Sequence, residues 1–289
     1  MNVDTTIAVK RSESIKAARK SAKSEAAALG KSAPLADLLG TVGKRGGLLI
    51  ALLLLWEFAP RFGWVDDTYL PALSTVLGEF GKMFASGELF KHLKSSLVRS
   101  FAGYFIAIVV GIPLGLLNGW SRTVSQIDNL LIEFFRNTSA LALLPCFILF
   151  LGIGETSKIA IVAFACLWPI ILNTISGVRE VDPMLIMFAR SLGLSDGVMF
   201  RRIILPASLP SIFTGLRISS ASAVLVIIAA EMVGAKSGLG FLITNAQFSF
   251  RIPAMYVGIL TTTALGIAIN YALIGIERKF TAWKPRMIK

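Results

Sequence analysis

The sequence predicts an all-α polytopic membrane protein of about six transmembrane helices with one cytoplasmic helix-turn-helix loop, and three observations predict it. Of 289 residues, 55% are hydrophobic and only 16% charged, with a mean hydropathy of +0.72. That is too little charge to cover a soluble surface of this size. Apolar runs near ~20 residues recur, each long enough to cross ~30 Å of hydrocarbon. Lys and Arg number 29 against 17 Asp and Glu, a net +12. In a soluble domain this would suggest nucleic acid; in a membrane protein it reports the positive-inside rule.

Residues 1–45 carry nine basic residues, from Lys10 to Arg45, and no aromatic. Such a segment cannot build a core and is expected as a disordered cytoplasmic tail; a helix lying on anionic lipid over Ile15 to Leu29 is the alternative. Residues 46–289 form the membrane domain. Six spans are expected, from about Gly46 to Pro60, Leu97 to Gly119, Leu130 to Leu151, Lys158 to Gly177, Gly215 to Gly234 and Met255 to Ile276. The second holds Gly103, Ala107, Gly111, Gly115 and Gly119 at four-residue spacing, a stripe that lets a neighbouring backbone approach closely. Pro113 in the same run is expected to bend it.

Counting Lys and Arg by loop places 19 on the side of the N-terminus and seven on the other. Both termini are therefore expected in the cytoplasm. His92 reads as an interfacial or solvated loop residue. No second histidine accompanies it, which argues against a Ser/His nucleophile pair and against a His-rich metal site. Cys146 and Cys166 lie in apolar runs without metal-ligand spacing, and no metal ligands are expected.

The stretch 178–212 is too polar to span. Asp182 and Pro183 read as an N-cap followed by proline at the first helical position. Met184, Leu185, Phe188, Ala189 and Leu192 recur at helical spacing, and Gly193 supplies a left-handed terminator. Ser195 is expected to cap a second short helix stopped by Pro206. The pair would present an apolar face, which usually means a partner.

At this loop the residues resemble a known family. Ala189, Gly193, Ile203, Leu205 and Pro206 are similar to the EAA loop of permease subunits of binding-protein-dependent ABC importers. More narrowly, Leu141 to Pro145, Gly152 to Lys158 (GIGETSK), Asn173 to Val178, Ile203 to Gly215 and Ala230 to Gly240 (AEMVGAKSGLG) resemble the nitrate/sulfonate/taurine permeases. The resemblance covers about residues 70 to 283 and is absent before Gly46. It implies a type I importer permease in the bacterial inner membrane, acting as a homodimer with cytoplasmic ABC ATPase subunits and a periplasmic or extracellular solute-binding protein, with no nucleic acid partner. The coupling residues it implies are Met187, Phe188, Ala189, Leu192, Gly193, Ile203, Leu205 and Pro206. Met187, Phe188 and Ala189 stand where the family has Glu-Ala-Ala, so docking is expected to be more apolar. Asn137, Thr138 and Ser139 replace an Ile-Pro-Pro-like step.

The chain is expected to be no enzyme and to bind no cofactor. Gly30, Lys31 and Ser32 imitate the end of a phosphate-binding loop, but Glu25 stands where its first glycine should be, so ATP and Mg belong to the partner ATPase. Arg136, with Asn137, Thr138 and Ser139 as hydrogen-bond donors, and Glu231 are the candidates for a substrate path, since charges in a span must face protein or water. Interfacial snorkelling of Arg136 and outer-face packing of Glu231 are the structural alternatives. Glu133 can pair with Arg136, and Arg217 shares a stripe with Glu231. The expected cargo is an aliphatic sulfonate or taurine, with nitrate or another small oxyanion next. An ion-coupled secondary carrier is the reading from another class, and it would call for internal repeats, none of which is clear here.

Overall fold

The computed structural model describes residues 34–280, with side chains from residue 47 onward. Most of the basic tail, including Ile15 to Leu29, lies outside the described residues. The chain separates into one unit ending at Asp67 and a second beginning at Thr68. The first holds α1 (Pro34–Arg61), which starts well before Gly46, so residues expected in the tail are helical.

The second unit runs through α2 (Leu73–Ala85), α3 (Glu88–Trp120), α4 (Arg122–Arg136), α5 (Leu144–Leu151), α6 (Glu155–Arg179), α7 (Pro183–Ser191), α8 (Asp196–Met199), α9 (Leu205–Met232), α10 (Leu239–Phe248) and α11 (Ile252–Phe280). Among the described residues, four helices are long and apolar enough to cross a membrane, or five if a bent pair counts as one span. The count among the described residues is thus four or five where about six are expected. The apolar part of α1, Leu48 to Ala59, is about 18 Å long at ~1.5 Å per residue, short of the ~30 Å core.

Two expected elements take a different form. The third span is not straight: α4 and α5 meet at 82°. The polar run Asn137 to Ser139 breaks the helix, Asn137 Nδ2 folding back to the Glu133 carbonyl (2.8 Å) and Thr138 Oγ1 to that of Phe134 (3.0 Å). Pro145 then opens α5, where no amide donor is missed. The helix begun at Asp196 is not stopped by Pro206. A π-helical turn at Phe200–Ile204 joins α8 to α9, and Pro206 falls in the first turn of α9. The widened turn accommodates a residue that cannot donate to the preceding turn. The helices α2 and α10 were not expected at all.

The small-residue stripe of α3 is what sets the bundle. It lies against α6, so closely that a Cβ at Gly103 would sit 2.7 Å from that of Val162, and one at Gly115 2.6 Å from that of Thr174. On its far side α6 packs against α9, and Ile161, Cys166, Ile170, Ala223 and Ile227 close the core between them. Tyr104 completes the link, its hydroxyl donating to the Leu216 carbonyl at 2.9 Å. At the turn into α11, Arg251 bonds Glu79 and Glu88 at 3.2 and 3.5 Å, and the Glu79 carboxylate holds its guanidinium above its ordinary pKa.

Gly115→Leu should lower thermal stability by roughly 1 to 3 kcal/mol, as overpacking does. Gly78→Leu, on α2 with open space around it, should not. Melting of the two purified variants, followed by scanning fluorimetry, checks the contrast.

Candidate functional site

Three features stand out, at two ends of the bundle and between them. The first is polar and buried. The N-terminus of α10 carries three amides that no residue of its own turn satisfies, and side chains from other helices accept all three. Gly238 N–H donates to His92 Nδ1 (3.1 Å), Leu239 N–H to Ser96 Oγ (2.8 Å) and Gly240 N–H to Glu231 Oε2 (3.1 Å). Ser96 in turn donates to Glu231 Oε2 at 2.7 Å. A Cβ at Gly238 would overlap the Glu231 carboxylate, and one at Gly240 the Ile228 carbonyl, which is the physical content of the Gly-Leu-Gly sequence here.

Arg99 closes this network. Its guanidinium grips Glu155 with a two-pronged fork, Nη2 to Oε1 at 2.7 Å and Nε to Oε2. It also donates to Glu231 Oε1 (2.7 Å) and the Ser237 carbonyl (2.6 Å). Glu231 and Arg99 side chains are 0% and 5% exposed, whereas Glu155 is 65% exposed. Lys158 extends the cluster to the Gly154 and Gly234 carbonyls at 3.0 and 3.4 Å. His92, expected in a solvated loop, is instead buried within α3 and stacked on Phe241. Accepting at Nδ1, it is a neutral ring with its proton on Nε2.

The second feature is a cavity of about 490 Å³ lined by Arg136 at the end of α4, Asn137, Thr138 and Ala140 after it, Phe164, Trp168 and Asn173 of α6, and Ser222 and Val226 of α9, among others. Three of the four neighbours expected on a substrate path thus come together; Ser139 is not part of the lining, and Glu231 belongs to the Arg99 network. No ion pair joins Glu133 and Arg136 among the described residues. Arg217 does not turn to Glu231 but pairs with Glu277 at 3.4 Å. Thr138 spends its only proton on its own helix, so it can accept but not donate.

The third feature is the helix pair at the opposite end. Asp182 Oδ1 accepts from Met184 N–H at 2.8 Å, with Pro183 at the first position. Gly193, at φ +72°, ends α7: its N–H reaches the Arg190 carbonyl at 2.9 Å, and that of Leu194 the Ala189 carbonyl at 3.2 Å. This double bond pattern is the one a left-handed glycine permits. Ser195 begins the next helix without a side-chain cap. Ala189, Met199 and Ile204 are buried together, with Ile203 packed beside them. Leu205 and Pro206 are half-buried at the start of α9. Met187, Phe188 and Leu192 project outward at 65%, 64% and 61% exposure, with Met184 and Leu185 beside them.

Residues 103–282 match the family model described as "binding-protein-dependent transport system inner membrane component". The chain belongs to that family. It is thus a permease subunit of an ABC importer, a multi-pass membrane protein. Among its relatives, the putative aliphatic sulfonates transport permease protein SsuC of Escherichia coli (strain K12) is 37% identical over 82% of this chain and 90% of its own. The taurine transport system permease protein TauC of the same organism is 34% identical over 82% and 88%. The inward-facing MetNI methionine ABC transporter shares the fold at 22% identity and a TM-score of 0.59, covering 65% of this chain and 93% of that one.

In this permease the sequence analysis passed over Ser96 and Arg99 and placed His92 in a loop, away from the network it joins. A signal was present: an arginine inside the second apolar run has to find carboxylates, and Glu155 and Glu231 lie at the ends of two other runs. His92, Ser96 and Arg99 also extend the Gly103 to Gly119 stripe backward at helical spacing.

Breaking a buried pair strands its partner. Arg99→Met should therefore destabilise the permease by roughly 3 to 5 kcal/mol and deplete it from the membrane, while Arg99→Met combined with Glu231→Gln should recover much of the loss. Membrane abundance and melting of both variants test this; equal loss in the two would mean that the charge pair is not what matters.

Proposed function

We propose that this permease is the translocation subunit of an importer for aliphatic sulfonates or taurine, driven by separate ATPase subunits that dock on the α7 ridge. The observation that carries the docking half is the outward row Met184, Leu185, Met187, Phe188 and Leu192 on a rigid support. Five large apolar side chains at the polar end of a membrane bundle need a protein partner. The absence of an acidic residue at Met187 makes the contact one of shape and burial. The charge count of 19 against seven supports a cytoplasmic location for this ridge.

The substrate half rests on relatives named for aliphatic sulfonates and taurine, and on Arg136, which lines the cavity and has no ion-pair partner among the described residues. Nitrate or another small oxyanion is the second reading, favoured by the same cation. A solute-binding protein would deliver cargo at the Arg99 end. A second permease copy would complete the pathway, and α11 is available to meet it or lipid, since none of its most apolar window is buried. ATP binding would then close the ATPase pair, draw the two ridges together and turn an inward-open path outward.

Phe188→Asp should abolish co-purification with the ATPase while leaving the permease inserted, because the contact would have to desolvate a carboxylate. Gly193→Val should weaken it too, through a left-handed position that costs a β-branched residue roughly 1 to 2 kcal/mol. Pull-down and ATP hydrolysis in reconstituted membranes, with and without loaded binding protein, measure both; normal stimulation in the two variants would sink the proposal. Orientation is read separately: with native cysteines replaced, a thiol at Ser195 should react only after permeabilisation, and one at Lys236 from outside.

A further inference from the structure

The cavity beside Arg136 has two unlike walls, and its hydrogen-bonding groups are mostly committed. Asn173 Nδ2 donates to the Pro169 carbonyl at 2.8 Å, Thr138 to that of Phe134 at 3.0 Å, and Ser222 to that of Ile218 at 3.4 Å. Beyond the second N–H of the Asn137 and Asn173 amides, two donor groups make no bond among the described residues. Arg136 has no ion-pair partner among the described residues, and the indole N–H of Trp168, buried in the cavity wall, has no acceptor among them. A buried donor left unmade costs free energy that an arriving acceptor recovers. The Trp168 ring is fixed in place, stacked on Phe135 at 5.4 Å and edge-on to Phe164 at 5.5 Å. No Asp or Glu is among the lining residues, Glu133 lying in the adjoining cavity instead.

We propose that this cavity is a selectivity site for an organic anion: Arg136 and the Trp168 indole N–H hold the acid group, Phe164, Leu172 and Val226 cover an apolar body, and an ammonium group is rejected. The inference rests on the sulfonate reading above and divides it, favouring alkanesulfonates over zwitterionic taurine. An anion gains a charge-assisted bond to Arg136 and a second bond to Trp168. An ammonium group entering with it would meet Arg136 as a like charge and no carboxylate to offset its lost hydration.

The test uses the complete complex of permease and ATPase in vesicles, without binding protein. Cys146 and Cys166 are replaced and one thiol is introduced by Ser222→Cys on the cavity wall. It is challenged with 2-sulfonatoethyl methanethiosulfonate and with its trimethylammonium counterpart. The anionic reagent should react faster, and Arg136→Gln should abolish that preference. Butanesulfonate should protect the thiol at concentrations about tenfold below those taurine requires, and Trp168→Phe, which keeps the ring but removes the donor, should weaken protection about tenfold, as loss of a bond to a charged group does. Equal protection by taurine and butanesulfonate, unchanged protection in Trp168→Phe, or a thiol unreactive to both reagents would overturn the assignment. ATPase retention and stimulation are measured on the same vesicles. Intact coupling with failed protection rejects the cavity alone, whereas failed coupling rejects the importer reading.

Discussion

A guanidinium inside an apolar bundle has to be fully satisfied or it is not there at all, and this permease is arranged around meeting that condition for Arg99. Desolvating one cation costs several kcal/mol even after relaxation. Two carboxylates and a backbone carbonyl from α6, α9 and the turn before α10 therefore converge on one residue of α3. The same convergence resolves a second difficulty, the orphan amides of a short buried helix. Glu231 serves both, neutralising Arg99 with one oxygen and accepting from Gly240 with the other. A carboxylate at that spot is also favoured by the positive end of α10. Four helices are thus tied at one end by charge, while along their length the small-residue stripe holds them by contact.

The division of labour between the two ends follows from solvent. At the Arg99 end the side chains of His92, Ser96, Arg99 and Glu231 are buried and committed to hydrogen bonds, and the carboxylate of Glu155 stands exposed at the rim. At the α7 end Asp182 and the backbone around Gly193 turn the chain, and the large apolar side chains of the ridge are left outside. Between them lies a cavity whose cation has no counter-ion among the described residues. On the proposed function the three conditions belong together: one end would keep its shape, one would take hold of a motor, and the path between them would be left incompletely satisfied.

Much of this was legible from residue order. Periodicity gave the long apolar helices, and local chemistry gave the α7 turn, because Asp182, Pro183 and Gly193 act on their immediate neighbours. The stripe from Gly103 to Gly119 announced a close contact, though not that α6 would make it. What escaped was set by distance along the chain. Arg99 meets Glu155 and Glu231 across separations of 56 and 132 residues, and no local pattern records such pairings. The bend after Arg136 was hidden because the apolar character of the run continues across it, so that hydropathy reads one span where three polar residues make two helices. The Pro206 stop failed for a related reason: proline forbids one hydrogen bond, and a widened turn supplies a geometry that does not require it.

That widened turn has a mechanical consequence. With α8, the π turn and α9 running on without a break, Asp196 to Met232 is a single rod of 37 residues, about 55 Å long at ~1.5 Å per residue. One end emerges beside the ridge and the other carries Glu231. A tilt of ~5° imposed at the first end displaces the second by about 5 Å, more than the length of any hydrogen bond in the Arg99 network. The bonds around Arg99 therefore act as a latch on the long arm of a lever: they hold at rest, and any swing of the rod large enough to open the membrane path must either carry their whole cluster with it or part them.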